Sequence, residues 1–190
     1  MIGSRFPAVL EDARSGDEVA FATLWRELHP SLLRYLRVVT RGAADDVASE
    51  TWAAVATSIS RFEGDEAAFR AWIFTVARRR AIDHFRREAR RPAVPVDPVS
   101  LGTTPIAAVA ADPGDVAVTA LATETALALV ATLPPDQAEA VSLRAIAGLD
   151  VAHVAAIMNK RPGTVRVLAH RGLRELARRL SEEEQRAVTP

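Results

Sequence analysis

Arginine is the residue type on which the chemistry of this chain must rest. From Phe69 to Arg91 the sequence reads FRAWIFTVARRRAIDHFRREARR. At about 100° per residue, Ala81, Ile82, Phe85 and Ala89 share one helical face, and Arg79, Arg80, Arg86, Arg87 and Arg90 spread over the opposite one. A guanidinium is a planar, permanently charged fork of donors that matches phosphate oxygens. Asp83 can reach Arg79 and Arg87 at i±4 spacing, which is the reading of an ordinary solvated face. One carboxylate does not neutralise five arginines, however, and the surplus points to a polyanion. Phe69, Trp72 and Phe74, just ahead of the array, favour nucleic acid over a membrane surface.

Other chemistries lack their residues. The chain has no cysteine, so it has no disulfide framework, thiolate metal site or cysteine nucleophile. His29, His84, His153 and His170 are scattered and show no HExxH or similar metal spacing. A glycine-rich phosphate loop and a GxSxG elbow are both missing. Asp45 and Asp46 are vicinal, and their side chains diverge on a helix. The expectation is a protein that is not an enzyme, with no cofactor, no metal and no small-molecule substrate. No uncharged run is long enough to span a membrane, and the lack of cysteine suits a reducing compartment, so a cytoplasmic protein is expected.

The formal net charge of zero argues against a nucleic-acid binder only until its distribution is read. Arg70 to Arg91 holds eight basic and two acidic residues, Lys160 to Leu180 seven and one, and Pro92 to Thr132 four acidic and none basic. Over a screening length of about 8–10 Å, local patches outweigh the total. Two separated basic surfaces result.

The elements that must position these surfaces read as helices, and the expected fold is all-α: two small helical domains joined by a Pro/Ala-rich linker. In the first domain, residues 1–91, Phe21, Leu24, Trp25 and Leu28 repeat at helical spacing. Pro30 is expected to interrupt them before Leu32, Leu33, Leu36 and Val39 resume. A further helix from about Ala44 to Ile59 buries Ala48, Trp52, Val55 and Ile59, with Asp45, Asp46 and Glu50 outside. Residues 92–115 concentrate proline, small residues and acid, and read as a linker. The second domain, 116–180, is expected to bury Ala117, Leu121, Leu127 and Val130, then Val141, Ala145 and Ile146. Asp150 can cap a short helix bearing Val151, Val154, Ala155 and Met158, and Asn159 suits the left-handed position after it. A long helix from Pro162 to about Leu180 follows, with Val165, Leu168, Ala169, Leu173, Leu176 and Leu180 inward. Residues 181–190 read as a polar tail.

A short helix, a tight turn and a longer helix with a basic outer face form a helix-turn-helix. Its second helix would lie in the major groove. Lys160, Arg161, Gly163, Thr164, Arg166 and Val167 would approach bases, with Arg171, Arg174 and Arg178 nearer phosphates. Val167 is apolar on a polar face, where a thymine methyl would give it a partner.

The two motifs FRAWIFTVARRRAIDHFRR and GLDVAHVAAIMNKRPGTVRVLAHRGLREL, in this order, resemble a bacterial RNA polymerase sigma factor of the extracytoplasmic-function (sigma-70 superfamily) group. The resemblance implies core RNA polymerase and promoter DNA as partners, and it allows an anti-sigma factor. It implies that Asp45, Asp46 and Glu50 dock on polymerase. It also implies that the loop from Ser60 to Ala67, with Phe62, Glu63, Gly64 and Asp65, receives a flipped −10 base. Trp72 would either assist strand separation or pack into the core, and Arg79, Arg80, Arg86 and Arg87 would hold phosphates beside that loop. The second domain would read the −35 element. Asn159 replaces a glycine usual in relatives, and Leu168 stands where a basic residue is common. A helix-turn-helix regulator independent of polymerase and a purely protein-binding helical adaptor are the alternatives.

Overall fold

A computed structural model describes residues 2–40, 42–90 and 123–188. The expectations for the linker, and for Ala117 and Leu121, lie outside these residues. Among the described residues every regular element is helical: α1 (Phe6–Arg14), α2 (Glu18–Thr40), α3 (Ala44–Ser58), α4 (Glu66–Arg90), α5 (123–131), α6 (Pro135–Val141), α7 (Val151–Met158) and α8 (Pro162–Val188). A 3-10 turn, Ile59–Arg61, follows α3, and a π turn, Ser142–Ile146, follows α6.

Aspartates start three of the helices. Asp17 Oδ1 accepts the Ala20 amide at 2.7 Å, Asp65 Oδ1 that of Ala68 at 2.8 Å, and Asp150 Oδ1 that of His153 at 2.8 Å. Each satisfies an amide that the first helical turn leaves without a partner, and adds negative charge at the positive end of the dipole. The Asp17 cap and α1 add to the expected elements. In α1, Phe6, Leu10 and Ala13 are buried, an i, i+4, i+7 stripe that is visible in the sequence.

α2 is the centre of the molecule. Its inward stripe, Leu24, Leu28, Leu32, Tyr35 and Leu36, is almost completely buried, and α1, α3, α4, α6 and the π turn all pack on it. Pro30 does not interrupt the helix. The ring is exposed, so the carbonyl it leaves unbonded faces solvent. A proline inside a helix costs about 3 kcal/mol, whereas each buried leucine on either side contributes roughly 1.5–3 kcal/mol. Continuity of the stripe wins.

The two halves share one core. Leu143, Leu149, Val154 and Met158 belong to the same buried cluster as Leu24, Phe69 and Phe74. A smaller cluster joins Val38 of α2 to Leu127, Leu133, Ala138 and Val141.

Three expectations about inward faces change. Of the four apolar residues expected inward near the end of α4, only Ala81 is buried; Ile82 is half-buried, Phe85 is 42% exposed and Ala89 is exposed, because no described element covers the last turns of α4. Ala145 is exposed and Leu143 and Ala147 are buried instead. The i→i+5 bond from Ala147 N to Ser142 O in the π turn resets the helical register. On α8, Leu173 and Leu180 are exposed and Gly172 is buried, so the packed face is Val165, Leu168, Ala169, Gly172 and Leu176. Glycine brings α8 against α6: a Cβ there would lie 2.7 Å from Val141 Cγ2 and 3.3 Å from Leu133 Cδ1. α8 also continues to Val188, through most of the expected tail.

Gly172→Ala is therefore expected to lower stability by about 1–3 kcal/mol despite alanine's better helix propensity, because Val141 is stiff and buried. Gly163→Ala, with nothing within 4 Å of its added Cβ, is expected to be neutral or stabilising. Paired thermal melts check the contrast.

Candidate nucleic-acid interface

α4 carries its arginines along an open edge. Arg79 is exposed and Arg80 half-buried, and no ion pair reaches either among the described residues. Arg86 is exposed, with Asp83 no nearer than 3.8 Å. Arg87 is exposed but occupied: its Nη2 donates to Glu50 Oε1 at 2.8 Å and Oε2 at 2.9 Å. Glu50 and Arg87, assigned from the sequence to different partners, are thus partners of each other across α3 and α4. Asp45 and Asp46 are exposed in the first turn of α3.

The loop before α4 is built by its aromatics. Phe62 stacks on Trp72 at 5.1 Å and 30°, and meets Phe69 edge-on at 5.1 Å. Trp72 is half-buried in this cluster. Gly64 has φ 150°, and a Cβ there would lie 3.0 Å from Ala68 Cβ and 3.1 Å from Phe62 Cζ, so both backbone and space require glycine. Glu63 is exposed, whereas Asp65 also serves as the α4 cap. The arginines do not lie beside this loop. At 1.5 Å per residue, Arg79 is about 20 Å and Arg86 about 30 Å further along α4. Loop and arginines mark the two ends of one track.

The helix-turn-helix is α7, a turn and α8. Asn159 adopts the left-handed conformation, φ 52° and ψ 49°. Asn159 N donates to Ala156 O at 3.2 Å and Lys160 N to Ala155 O at 2.9 Å, the paired bonds of a Schellman turn. Arg161, Gly163, Thr164, Arg166, Arg171 and Arg174 are exposed, and Val167 is 48% exposed. The four arginines have no ion-pair partner among the described residues. Lys160 differs: its Nζ donates to Asp136 Oδ2 at 2.9 Å, which draws it toward α6. Arg178 is held by Glu175 and Glu182, and Arg179 by Glu175 at 2.8 Å. Those hydrogen bonds hold the Glu175 carboxyl down at about 2. Leu168 is half-buried against the core, where a basic side chain would be misplaced.

Sequence reasoning missed one feature beside the acidic start of α3. His29 stacks on Trp25, centroids 4.4 Å apart, and its Nδ1 accepts the Trp52 indole N–H at 3.2 Å. The i, i+4 spacing of Trp25 and His29 was the available signal. Burial lowers the His29 pKa, against the opposing charge of Asp45.

The family description Sigma-70 region 2 matches residues 24–91, and Sigma-70, region 4 matches residues 123–176. The ECF RNA polymerase sigma factor BldN of Streptomyces coelicolor is 31% identical over 95% of this chain and 67% of its own length. The chain belongs to the ECF RNA polymerase sigma factors. Another member, SigD of Mycobacterium tuberculosis, is 32% identical over 93% of this chain and 84% of its own. The fold is also that of the sigma factor RpoE solved in complex with the anti-sigma factor NepR from Bartonella quintana. That likeness has TM-score 0.59 and 21% identity, and covers 85% of this chain and 96% of that one. In this sigma factor the region 2 match runs from the second turn of α2 to the end of α4, and the region 4 match covers α5 to the middle of α8.

Because the folded-state pKa of His29 lies below the unfolded value, the unfolded chain takes up the proton first. Stability present above about pH 6.5 is expected to be lost as pH falls from there through the folded pKa. Melts at about pH 7.5 and 5.5 should show a larger drop in Tm for wild type than for His29→Phe, with quenching of tryptophan emission in wild type only.

Proposed function

We propose that this sigma factor is the promoter-specificity subunit of RNA polymerase: it binds the core enzyme, directs it to −35 and −10 elements and assists melting, without chemistry of its own. Residues 1–91 form the unit for core binding, −10 recognition and melting, 92–115 the linker, and 116–180 the −35 unit, followed by the segment 181–190. The observation that carries the reading is the pair of uncompensated arginine faces, Arg79 and Arg80 on α4, and Arg161 just before α8 with Arg166, Arg171 and Arg174 on it, within the segments that match Sigma-70 regions 2 and 4.

The assignments follow the geometry. Exposed Asp45 and Asp46 meet basic groups of the polymerase, and Glu50 contributes once Arg87 is drawn to phosphate. Phe62, Glu63 and Gly64 shape the receptacle for a base whose extrusion costs a few kcal/mol of stacking, and Trp72 serves as the aromatic wall of that receptacle. Arg79, Arg80, Arg86 and Arg87 carry the backbone. Arg161, Gly163, Thr164, Arg166 and Val167 address base edges at −35, with Lys160 released from Asp136, while Arg171 and Arg174 hold phosphates. An anti-sigma factor, such as the partner named for the Bartonella protein, is proposed as a negative regulator, and the cytoplasm as the site of action. No described helix is long and apolar enough to cross a membrane.

Run-off transcription with purified core polymerase on promoters from the source genome tests this. Initiation that depends on the added chain is expected, and none at any promoter would overturn the reading. In binding titrations of the holoenzyme, Arg171→Ala and Arg174→Ala should each weaken all promoters alike and reduce the salt slope by roughly 1. Arg161→Ala should change the preference at −35, with roughly 1–3 kcal/mol of lost discrimination at one base.

A further inference from the structure

The first turn of α4 is gripped by a segment some sixty residues earlier in the chain, a contact that the DNA-facing arginines leave unexplained. Glu66 Oε1 accepts the Ile2 amide at 2.8 Å, and its Oε2 accepts the Gly3 amide at 2.9 Å. Ile2 is right-handed, with φ −74° and ψ −29°, and Gly3 follows at φ 66°. Successive residues of opposite hand turn their amides to one side and form a nest for an anion. The half-buried Glu66 carboxylate fills it. Glycine takes the second position of such a nest without steric cost.

The same short segment takes a second hold. Phe6, buried at the start of α1, meets the buried Phe69 at 5.6 Å. Phe69 lies three residues after Glu66, on the same face of α4. Its ring is edge-on to Phe62 at 5.1 Å and lies 5.6 Å from Trp72. A continuous line of contacts therefore runs from Ile2 and Gly3 through Glu66, Phe6 and Phe69 to the two aromatics assigned to the receptacle for the −10 base. α1 also packs on the 3-10 turn Ile59–Arg61 that leads into this loop, so both ends of the loop rest on residues 2–14. Between those ends Glu63, Gly64 and Asp65 are exposed. A pocket that discriminates bases needs its walls fixed before the base arrives, by neighbours that lock them.

We propose that Glu66 is a positioning residue for base recognition at −10. By seating its carboxylate in the nest at Ile2 and Gly3 it holds Phe6 against Phe69, and so fixes Phe62 and Trp72 as walls of the receptacle. Both oxygens serve as acceptors, which a side-chain amide does not supply. This rests on the sigma-factor reading given above and deepens its assignment of the loop.

Two variants test the brace in the full chain. Glu66→Gln keeps the length of the side chain but presents a donor to one of the two amides. Gly3→Ala opposes the nest alone, because its added Cβ meets nothing within 4 Å and the cost is confined to the backbone. Hydrogen exchange reads the loop. Base preference is read with core polymerase and fork DNA, duplex at −35 and single-stranded at −10, with each of the four bases placed in turn at each −10 position. Both variants are expected to speed exchange at residues 59–69 by roughly three- to tenfold with α8 unchanged, and to reduce the preference at the flipped position by a similar factor. Affinity for core polymerase should stay the same. Val9→Ala, half-buried elsewhere on α1, lowers stability without altering the nest and is expected to leave base preference intact. Circular dichroism confirms that each variant is folded. Unchanged exchange at residues 59–69 in both variants overturns the brace. Faster exchange with unaltered base preference overturns the role in recognition, as does an equal loss of preference in Val9→Ala. If the wild type with core polymerase binds no fork DNA, the sigma reading falls and the recognition role with it, while exchange still decides the brace.

Discussion

Burial of one face of α2 is the constraint on which the remaining structure depends. Its stripe from Leu24 to Leu36 touches four other helices and the π turn, so each neighbour's position follows from what it can bury there. α1 contributes Phe6 and Leu10, α3 contributes Val47 and Val55, and α4 contributes Phe69, Ile73 and Phe74. The same demand keeps α2 continuous through Pro30, because a break would divide the stripe on which both sides pack. It also accounts for Tyr35: one turn before the end of the face, it is an aromatic that fills the core and brings its hydroxyl to the seam between the halves.

Charge is organised by whether a carboxylate lies within reach. On α8, Glu175 holds Arg178 and Arg179 and Glu182 holds Arg178, so the charges from Glu175 to Glu182 are paired among themselves. The stretch before it, Arg161 in the turn and Arg166, Arg171 and Arg174 on the helix, has no such carboxylates and stays electropositive. On α4 the division differs. Arg78 turns inward to Glu139, Arg87 sideways to Glu50, and Arg79 and Arg80 remain available. The functional surface is thus a subset of the arginines, selected by partners that come from other elements.

Much was legible in the sequence where the cause is local. The 3.6-residue periodicity of α3 placed Ala48, Trp52, Val55 and Ile59 inward, and all four are buried. The Asp150 cap, the left-handed Asn159 and the exposed Val167 follow from side-chain chemistry within a few residues of each position. The family was legible as well, from two motifs in order. The errors share a different cause. Phe85 and Leu173 fit an apolar stripe but find nothing to cover them, because how far a neighbour extends is not a local property. Ala145 was misplaced by a π turn that adds one residue to the register.

By itself the sequence determined an all-α chain, the Asp150 cap and left-handed Asn159 that bound α7, and two concentrations of positive charge, since periodicity, capping and net charge act over a few residues. Only the tertiary structure decided which arginines are free and which are clamped, because ion pairs such as Arg87 with Glu50 and Arg78 with Glu139 join residues distant in the chain. It alone also set the two halves against a common core, where burial rather than pattern fixes the arrangement.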